Sequence, residues 1–456
     1  MNRGRFLLSS TSVAALAACS SSSPMLTTAP QARRLGAGSP FTATTYTRVE
    51  LTEFSKNAKL VAAFRAGIKA MRELTDERNT NAYKYWHYSH WMPSGKPPED
   101  MQAVFNQCKH KQSYFLPWHR GFLYFFEKTL REASGDIDFA LPYWDYYKNP
   151  ELPPIFTQET LKGGEPNPLY WPGRTGTTVT GLTFKAFADT VTVFPWGPGE
   201  TFEDLTERNP HDRVHGQVGG SMGRVPTAVA DPIFWVHHCN IDRYWSAWLA
   251  AGGERHMPAK KELWWDTVFA YNLDRSWNVG VKDMNDSENL GYTYSDLSLP
   301  APPRGASLPL RPGVVATGFA NAAGPIALDL RPVTIEIPLD ERTARASFVD
   351  VVLEGVEMTA LGERGGYDYT VYANLPASPA PLSEGSRFEI GEFGSFTLST
   401  PPMTGMAMPA NGSTLRLRAQ RPGSTLALSF VAFAAGSRVP ASSALVRIGR
   451  ITVVAR

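Results

Sequence analysis

Apolar positions recur at helical spacing through the first half of the chain and alternate at strand spacing through its last quarter. In Phe54–Asp76, residues Leu60, Phe64, Ile68 and Met71 fall on one face. In Leu116–Ser134, His119, Leu123, Phe126 and Leu130 do the same, and Gly135 supplies the stop. The stretch DPIFWVHHCNIDRYW (Asp231–Trp245) carries its own start signal: Asp231 is a good N-cap and Pro232 fits the first helical position. Gly252-Gly253 ends it. Asn209 as cap and Pro210 in the first turn predict one more helix, bearing His211 and His215 on one face. Between Glu151 and Pro198 the chain is rich in Pro, Gly and Thr without periodicity, which predicts loops over the helical core.

After Leu330 the texture changes. VTIEIPL, ASFVDVVLEGV, YDYTVYANL, RFEIGEFGSFTL, STLRLRA, TLALSFVAF and RIGRITVVA are short, β-branched or aromatic runs separated by turn residues. They predict an antiparallel sandwich or barrel. Pro300–Pro312 is the clearest break between the halves. The expected fold class is therefore a mainly α domain, a four-helix bundle with long loops, followed by an all-β sandwich or barrel. The expected boundaries are 1–23 (export signal), 24–48 (flexible tether), 49–299 (helical domain), 300–330 (linker) and 331–456 (β domain).

Composition narrows this picture. With 43% hydrophobic, 12% aromatic and 19% charged residues, the 456-residue chain can fill two cores and is not a disordered sequence. A net charge of +2 without a basic stripe gives nucleic acid nothing to bind. No apolar run reaches membrane-spanning length. Arg3 and Arg5, the apolar Phe6–Ala18 stretch and small residues after it form an export signal. Leu16-Ala17-Ala18-Cys19 resembles a bacterial lipoprotein box, in which Cys19 is lipidated. The expected location is periplasmic or cell-envelope, as a lipoprotein, or otherwise secreted, with membrane contact only through that anchor. Three cysteines (Cys19, Cys108, Cys239) form no disulfide framework.

Histidine placement carries the chemistry. Eight of nine histidines fall in four tight places: His87/His90, His110/His119, His211/His215 and His237/His238. The β-rich region has none, so its expected role is structural or gating. His211, His215 and His238 make one three-imidazole set. His110, His119 and one of His87 or His90 make a second. Asp242 lies four residues after His238 and is placed to accept the imidazole's second N–H, which makes His238 the expected ligand and His237 its supporting neighbour. HDRVH lacks the glutamate of a zinc protease's HExxH, and nothing resembles a thiolate zinc site. All-imidazole triads suit zinc, copper or iron; two adjacent neutral triads suit copper cycling between +1 and +2, with dioxygen shared by the pair.

The blocks CKHKQSYFLPWHRGFLYFFE (Cys108–Glu127), ALPYWDY (Ala140–Tyr146), NPHDRVHGQVGGSMG (Asn209–Gly223) and DPIFWVHHCNIDRYW resemble the copper-A and copper-B regions of the tyrosinase/polyphenol oxidase family of type-3 copper proteins. The resemblance covers about residues 50–300. It implies copper A on His90, His110 and His119 and copper B on His211, His215 and His238. Tyr83 and Trp86 stand before His90 as aromatics do in the family, which favours it over His87. It further implies a thioether between Cys108 and His110, and Glu207 (Glu203 as the alternative) holding a water and serving as base. Where relatives commonly have asparagine after the first copper-B histidine, this chain has Asp212, which puts monophenol activity in doubt. Gly216 is expected to leave the pocket entrance open. LGYTYSDL (Leu290–Leu297) and YTVYANLP (Tyr369–Pro376) resemble the C-terminal β-domain of longer members, which can cover the copper site and keep the enzyme latent.

The implied activity is oxidation of small phenols by O2: ortho-hydroxylation of monophenols, oxidation of o-diphenols to o-quinones, or both. Catechol or o-aminophenol oxidation alone, a haemocyanin-like oxygen carrier and a zinc hydrolase are the competing readings.

Overall fold

The structure, a computed structural model, describes residues 45–456 apart from 198–199, 261, 318–324, 383–384, 400–412, 421 and 435. The export signal, Cys19 and most of the expected tether lie outside the described residues. The described residues form one compact unit. Among the described residues, no helix is long and apolar enough to cross a membrane.

The helices are α1 (Leu51–Phe54), α2 (Ala58–Glu73), α3 (Tyr83–His90), α4 (Phe115–Ser134), α5 (Pro154–Thr157), α6 (Phe202–Thr206), α7 (Arg213–Val218), α8 (Ile233–Ala250), α9 (Glu341–Ala344), α10 (Gly385–Phe388) and α11 (Ser395–Ser399). The predicted Phe54–Asp76 helix is α2, shorter at both ends: Phe54 belongs to α1, and Asn57, whose side chain accepts the amides of Lys59 and Leu60, caps α2. The α4 helix ends as expected, with Gly135 in the left-handed region at φ 71°. Helix α8 is buried along nearly all its length. Asp231 caps it, accepting the Ile233 amide at 3.0 Å, while both its oxygens also hold Arg174, at 2.6 and 2.7 Å.

The expected helix at Asn209 takes a different form. Residues Glu207–Asp212 wind as a wide π-type turn continuing α6, broken at Asn209 (φ −151°, ψ 114°). Asn209 is not a cap: its side chain accepts the Thr183 amide and donates to Glu392. His211 therefore leaves from the wide turn and His215 from α7.

The strands are β1 (Tyr46–Arg48), β2 (Val268–Ala270), β3 (Asn278–Gly280), β4 (Tyr292–Tyr294), β5 (Val314–Thr317), β6 (Ile326–Leu328), β7 (Val333–Pro338), β8 (Phe348–Met358), β9 (Asp368–Ala373), β10 (Glu389–Gly394), β11 (Ser413–Gln420), β12 (Thr425–Phe433) and β13 (Val446–Ala455). Each of the seven expected runs contains a strand, but RFEIGEFGSFTL is extended only over Glu389–Gly394, with its Arg387-Phe388 start in α10 and its Ser395–Leu398 end in α11. These strands form two sheets, ordered β10-β9-β12-β7-β5 and β11-β8-β13-β6, neither closed on itself, so the region is a sandwich and not a barrel. Two features depart from the expected boundaries. Strands β5 and β6 lie inside the stretch read as linker, β5 parallel to β7 and β6 paired to β13. Strand β1 lies inside the stretch read as tether and pairs in parallel with β4, which sends the fully buried Arg48 into the helical core.

Candidate dicopper site

Helices α3, α4, α7 and α8, the loop before α4 and the wide turn before α7 each deliver one imidazole to one buried place. His90 ends α3, His110 stands on the loop before α4, and His119 lies in α4's second turn. Their ring centroids are 5.8 Å (His90–His110), 5.8 Å (His90–His119) and 5.4 Å (His110–His119) apart. The other triad is as tight: 4.6 Å (His211–His215), 4.9 Å (His211–His238) and 5.4 Å (His215–His238). The triads meet face to face. His119 stacks on His238 at 4.6 Å, and His110 lies 5.4 Å from His211. His87 is elsewhere, with its Nε2 against the Pro226 carbonyl at 2.8 Å.

The outer nitrogens of four rings are tied down. Nδ1 of His119 meets the Phe115 carbonyl, that of His215 the Met222 carbonyl, that of His211 Asp212 and that of His110 Glu207, at 2.7–3.0 Å. A proton on each Nδ1 leaves each Nε2 with a free lone pair. Nε2 of His90, His110, His119 and His211 has no partner, and those of His215 and His238 face each other at 3.2 Å. Buried polar atoms are ordinarily satisfied, so this many converging orphans mark a site that a cation completes. Burial lowers every one of these imidazoles' pKa, His110 to about 4, so the rings are neutral at neutral pH, as ligands must be.

His237 lies against the same triad, 4.7 Å from His215 and 5.4 Å from His211, with neither ring nitrogen partnered and one of them within 4.8 Å of nitrogens of His211, His215 and His238; of the adjacent pair it is His238 that stacks on His119. The expected bond between Asp242 and His238 is a correction. Asp242 accepts from Arg120 (2.5 Å), Tyr292 (2.6 Å) and Tyr294 (2.5 Å), with Arg48 at 3.5 Å, while His238 Nδ1 has no partner. Four donors from distant segments outcompete a neighbour one turn away.

Two carboxyls flank the site. Glu207 accepts the Lys111 amide at 2.8 and 2.9 Å and His110 Nδ1 at 3.0 Å. It therefore stands beside the loop that carries His110. Burial pushes its carboxyl up to about 8 and that of Asp212 to about 7. Glu203 is turned away, receiving the amides of Leu116 and Trp196. Cys108 is a buried free thiol within 4.8 Å of ring nitrogens of His90 and His110. Cys239 is buried. Phe234, missed by sequence reading, lies 4.0 Å from His238 and 5.2 Å from His90; its position one turn before His238 was the available signal.

The mouth of the site is closed by the β region. Phe396, on α11, stacks on His215 with centroids 4.1 Å apart and planes at 15°, and lies 5.4 Å from His211. Gly216 does not open a passage: a Cβ there would meet the Tyr367 carbonyl at 3.2 Å and Asp368 at 3.3 Å. Nothing local in the sequence marked Phe396, because only the packing of the two halves brings it here.

Paired all-imidazole triads at this spacing have the donor set that a type-3 dicopper centre uses. The family model for the common central domain of tyrosinase matches residues 79–184 and 171–251, so this stretch of the chain carries the tyrosinase-family central domain. The chain is 31% identical over 310 residues to tyrosinase HcTyr1 of Hahella sp., and 30% identical over 285 residues to catechol oxidase B of Solanum tuberosum. These alignments take in 58% and 52% of this chain and 64% and 46% of the relatives, so the chain spans between about half and two thirds of the curated relatives it matches. Two solved structures share the fold: latent apple tyrosinase (22% identity, TM-score 0.55, 90% of this chain and 97% of that one) and latent aurone synthase (18%, 0.51, 90% of each). The cofactor is a pair of copper ions, and the six facing nitrogens fit it.

Proposed function

We propose that the protein is a latent phenol oxidase that uses O2 to oxidise small o-diphenols to o-quinones and to ortho-hydroxylate monophenols. The observation that carries this is the facing pair of imidazole triads, one stacked on the other through His119 and His238. We assign copper A to His90, His110 and His119, copper B to His211, His215 and His238, and the four-helix frame to α3, α4, α7 and α8. Bound copper supplies the redox and Lewis-acid chemistry.

The chain's own groups do the rest. Nδ1–H bonds fix the tilt of four ligand rings, and His237 backs the copper-B set. Glu207, as the carboxylate that accepts from the Lys111 amide and His110 Nδ1, takes the phenolic proton; Asp212 keeps His211 oriented. Cys108 is placed for a thioether to His110, which mass spectrometry of the peptide would show as a loss of two hydrogens. Phe396 occupies the place over His215 where a substrate ring would stack, so the intact chain is closed. We assign export and a lipid anchor at Cys19, tested by palmitate labelling in a bacterial host.

The deciding experiment assays copper-loaded protein against a monophenol, a catechol and an o-aminophenol side by side, with Phe396 intact and replaced. Quinone from the catechol is expected. Quinone from none of the three, with two coppers bound, would reject the oxidase reading.

A further inference from the structure

We propose that the β sandwich is a positioning element of the copper-B segment, clamped to it through Arg213 and Glu392, and that it stays bound when the enzyme works. This rests on the copper-B assignment made above.

Helix α7 can do little alone. It has six residues, far fewer than a helix needs to be stable by itself in water. A broken turn precedes it and Gly219-Gly220, both at positive φ, follow it. Yet His211 and His215 must hold their rings to within fractions of an ångström for a metal to bind. Something outside must fix both ends, and on the outward side that something is the sandwich.

At the leading end, Arg213 is fully buried between the two ligands. Its Nη2 donates to Glu392 on β10 (2.6 Å) and to Thr370 on β9 (2.5 Å), with Asp368 at 3.4 Å. Its guanidinium lies 4.6 Å from the Phe433 ring of β12. Glu392 also receives the Asn209 amide at 2.9 Å, so one carboxylate grips both sides of His211. At the trailing end the contact is backbone to backbone. Gly366 N–H donates to the Gly216 carbonyl (2.8 Å) and Gly220 N–H to the Arg364 carbonyl (2.7 Å). A Cβ on Gly219 would come within 2.5 Å of Gly366 N, so no other residue allows this approach. By comparison α11, which carries Phe396, meets the same segment through ring packing on His211 and His215 and a long hydrogen bond from Thr397 to Asp212 at 3.4 Å. The seam and the plug are separate contacts.

The test uses the full chain with a specific protease site inserted between Pro312 and Gly313, copper-loaded and then nicked under native conditions. The two halves are expected to co-elute on gel filtration with the copper pair retained. Glu392→Ala in the same background is expected to halve the copper content, with copper A kept, and to let the halves separate. Glu392→Asp should restore both, and Glu354→Gln, which breaks an exposed ion pair with Arg450 on the far sheet, should change neither. Far-ultraviolet circular dichroism of the Glu392→Ala protein checks that both halves remain folded. If the nicked wild-type chain releases its β half while the helical half keeps both coppers, or if Glu392→Ala keeps both coppers and stays joined, the inference falls. An intact wild-type chain that binds no copper pair would instead remove the proposed function itself.

Discussion

A single imidazole decides little; what matters is where its second nitrogen goes. His211 shows this best, since its Nδ1 is held by Asp212 and its Nε2 is left without a partner among five other rings. His211→Ala is expected to reduce bound copper from a pair to one ion, read by metal analysis. Catechol oxidation should fall by more than about 100-fold, since loss of even an outer partner of a metal ligand costs on the order of 10–100-fold. Phe396 acts in the opposite sense. Phe396→Ala in the uncut chain is expected to raise catechol oxidation by about tenfold or more, equivalent to about 1.4 kcal/mol of relieved blockade. An unchanged rate would mean that the ring at 4.1 Å from His215 does not obstruct substrate.

At the scale of elements, α8 is the central fact, and its chemistry was only half legible. Its start, its stop and the histidine pair could be read because caps and glycines act locally. The role of Asp242 could not, because its partners come from three separate places in the chain: Arg48 on β1, Arg120 on α4, and Tyr292 and Tyr294 on β4. This gives two distinguishable outcomes for Asp242→Asn. Weakening a fully buried charge network should lower unfolding free energy by about 3–5 kcal/mol, measured by denaturant titration. Copper content should stay at two, because no ligand ring depends on that carboxylate. The Asn209–Pro210 segment was misread as an ordinary helix start for a related reason: capping residues promise a cap, but Asn209 is drawn instead to Thr183 and Glu392. Gly219 adds an element-scale prediction. Gly219→Ala, at φ 64° and against Gly366, should destabilise by about 1–3 kcal/mol, seen as a lower Tm.

For the whole molecule, copper links folding to the site, since six ligands from α3, α4, α7, α8 and two loops meet only in the folded chain. Removing copper with a chelator should lower Tm by several degrees, and restoring it should reverse the change, because an ion that binds only the folded state stabilises it by about 4 kcal/mol at a thousand times its Kd. A Tm indifferent to copper would show that the rings do not bind it together.

Much of this protein was determined by the sequence alone: the helical and β-rich halves, seven strands, the ends of α4 and α8, and the six histidines that could meet. Those features follow from periodicity, caps and residue chemistry, which act within a few positions. Only tertiary structure decided which of His87 and His90 joins the triad, that Asp242 serves arginines and tyrosines, that β1, β5 and β6 belong to sheets, and that Phe396 and Glu392 reach the copper-B segment. Those depend on contacts between residues far apart in the chain, whose partners are chosen by packing and by the burial of charge, and no short window of sequence contains both sides of such a contact.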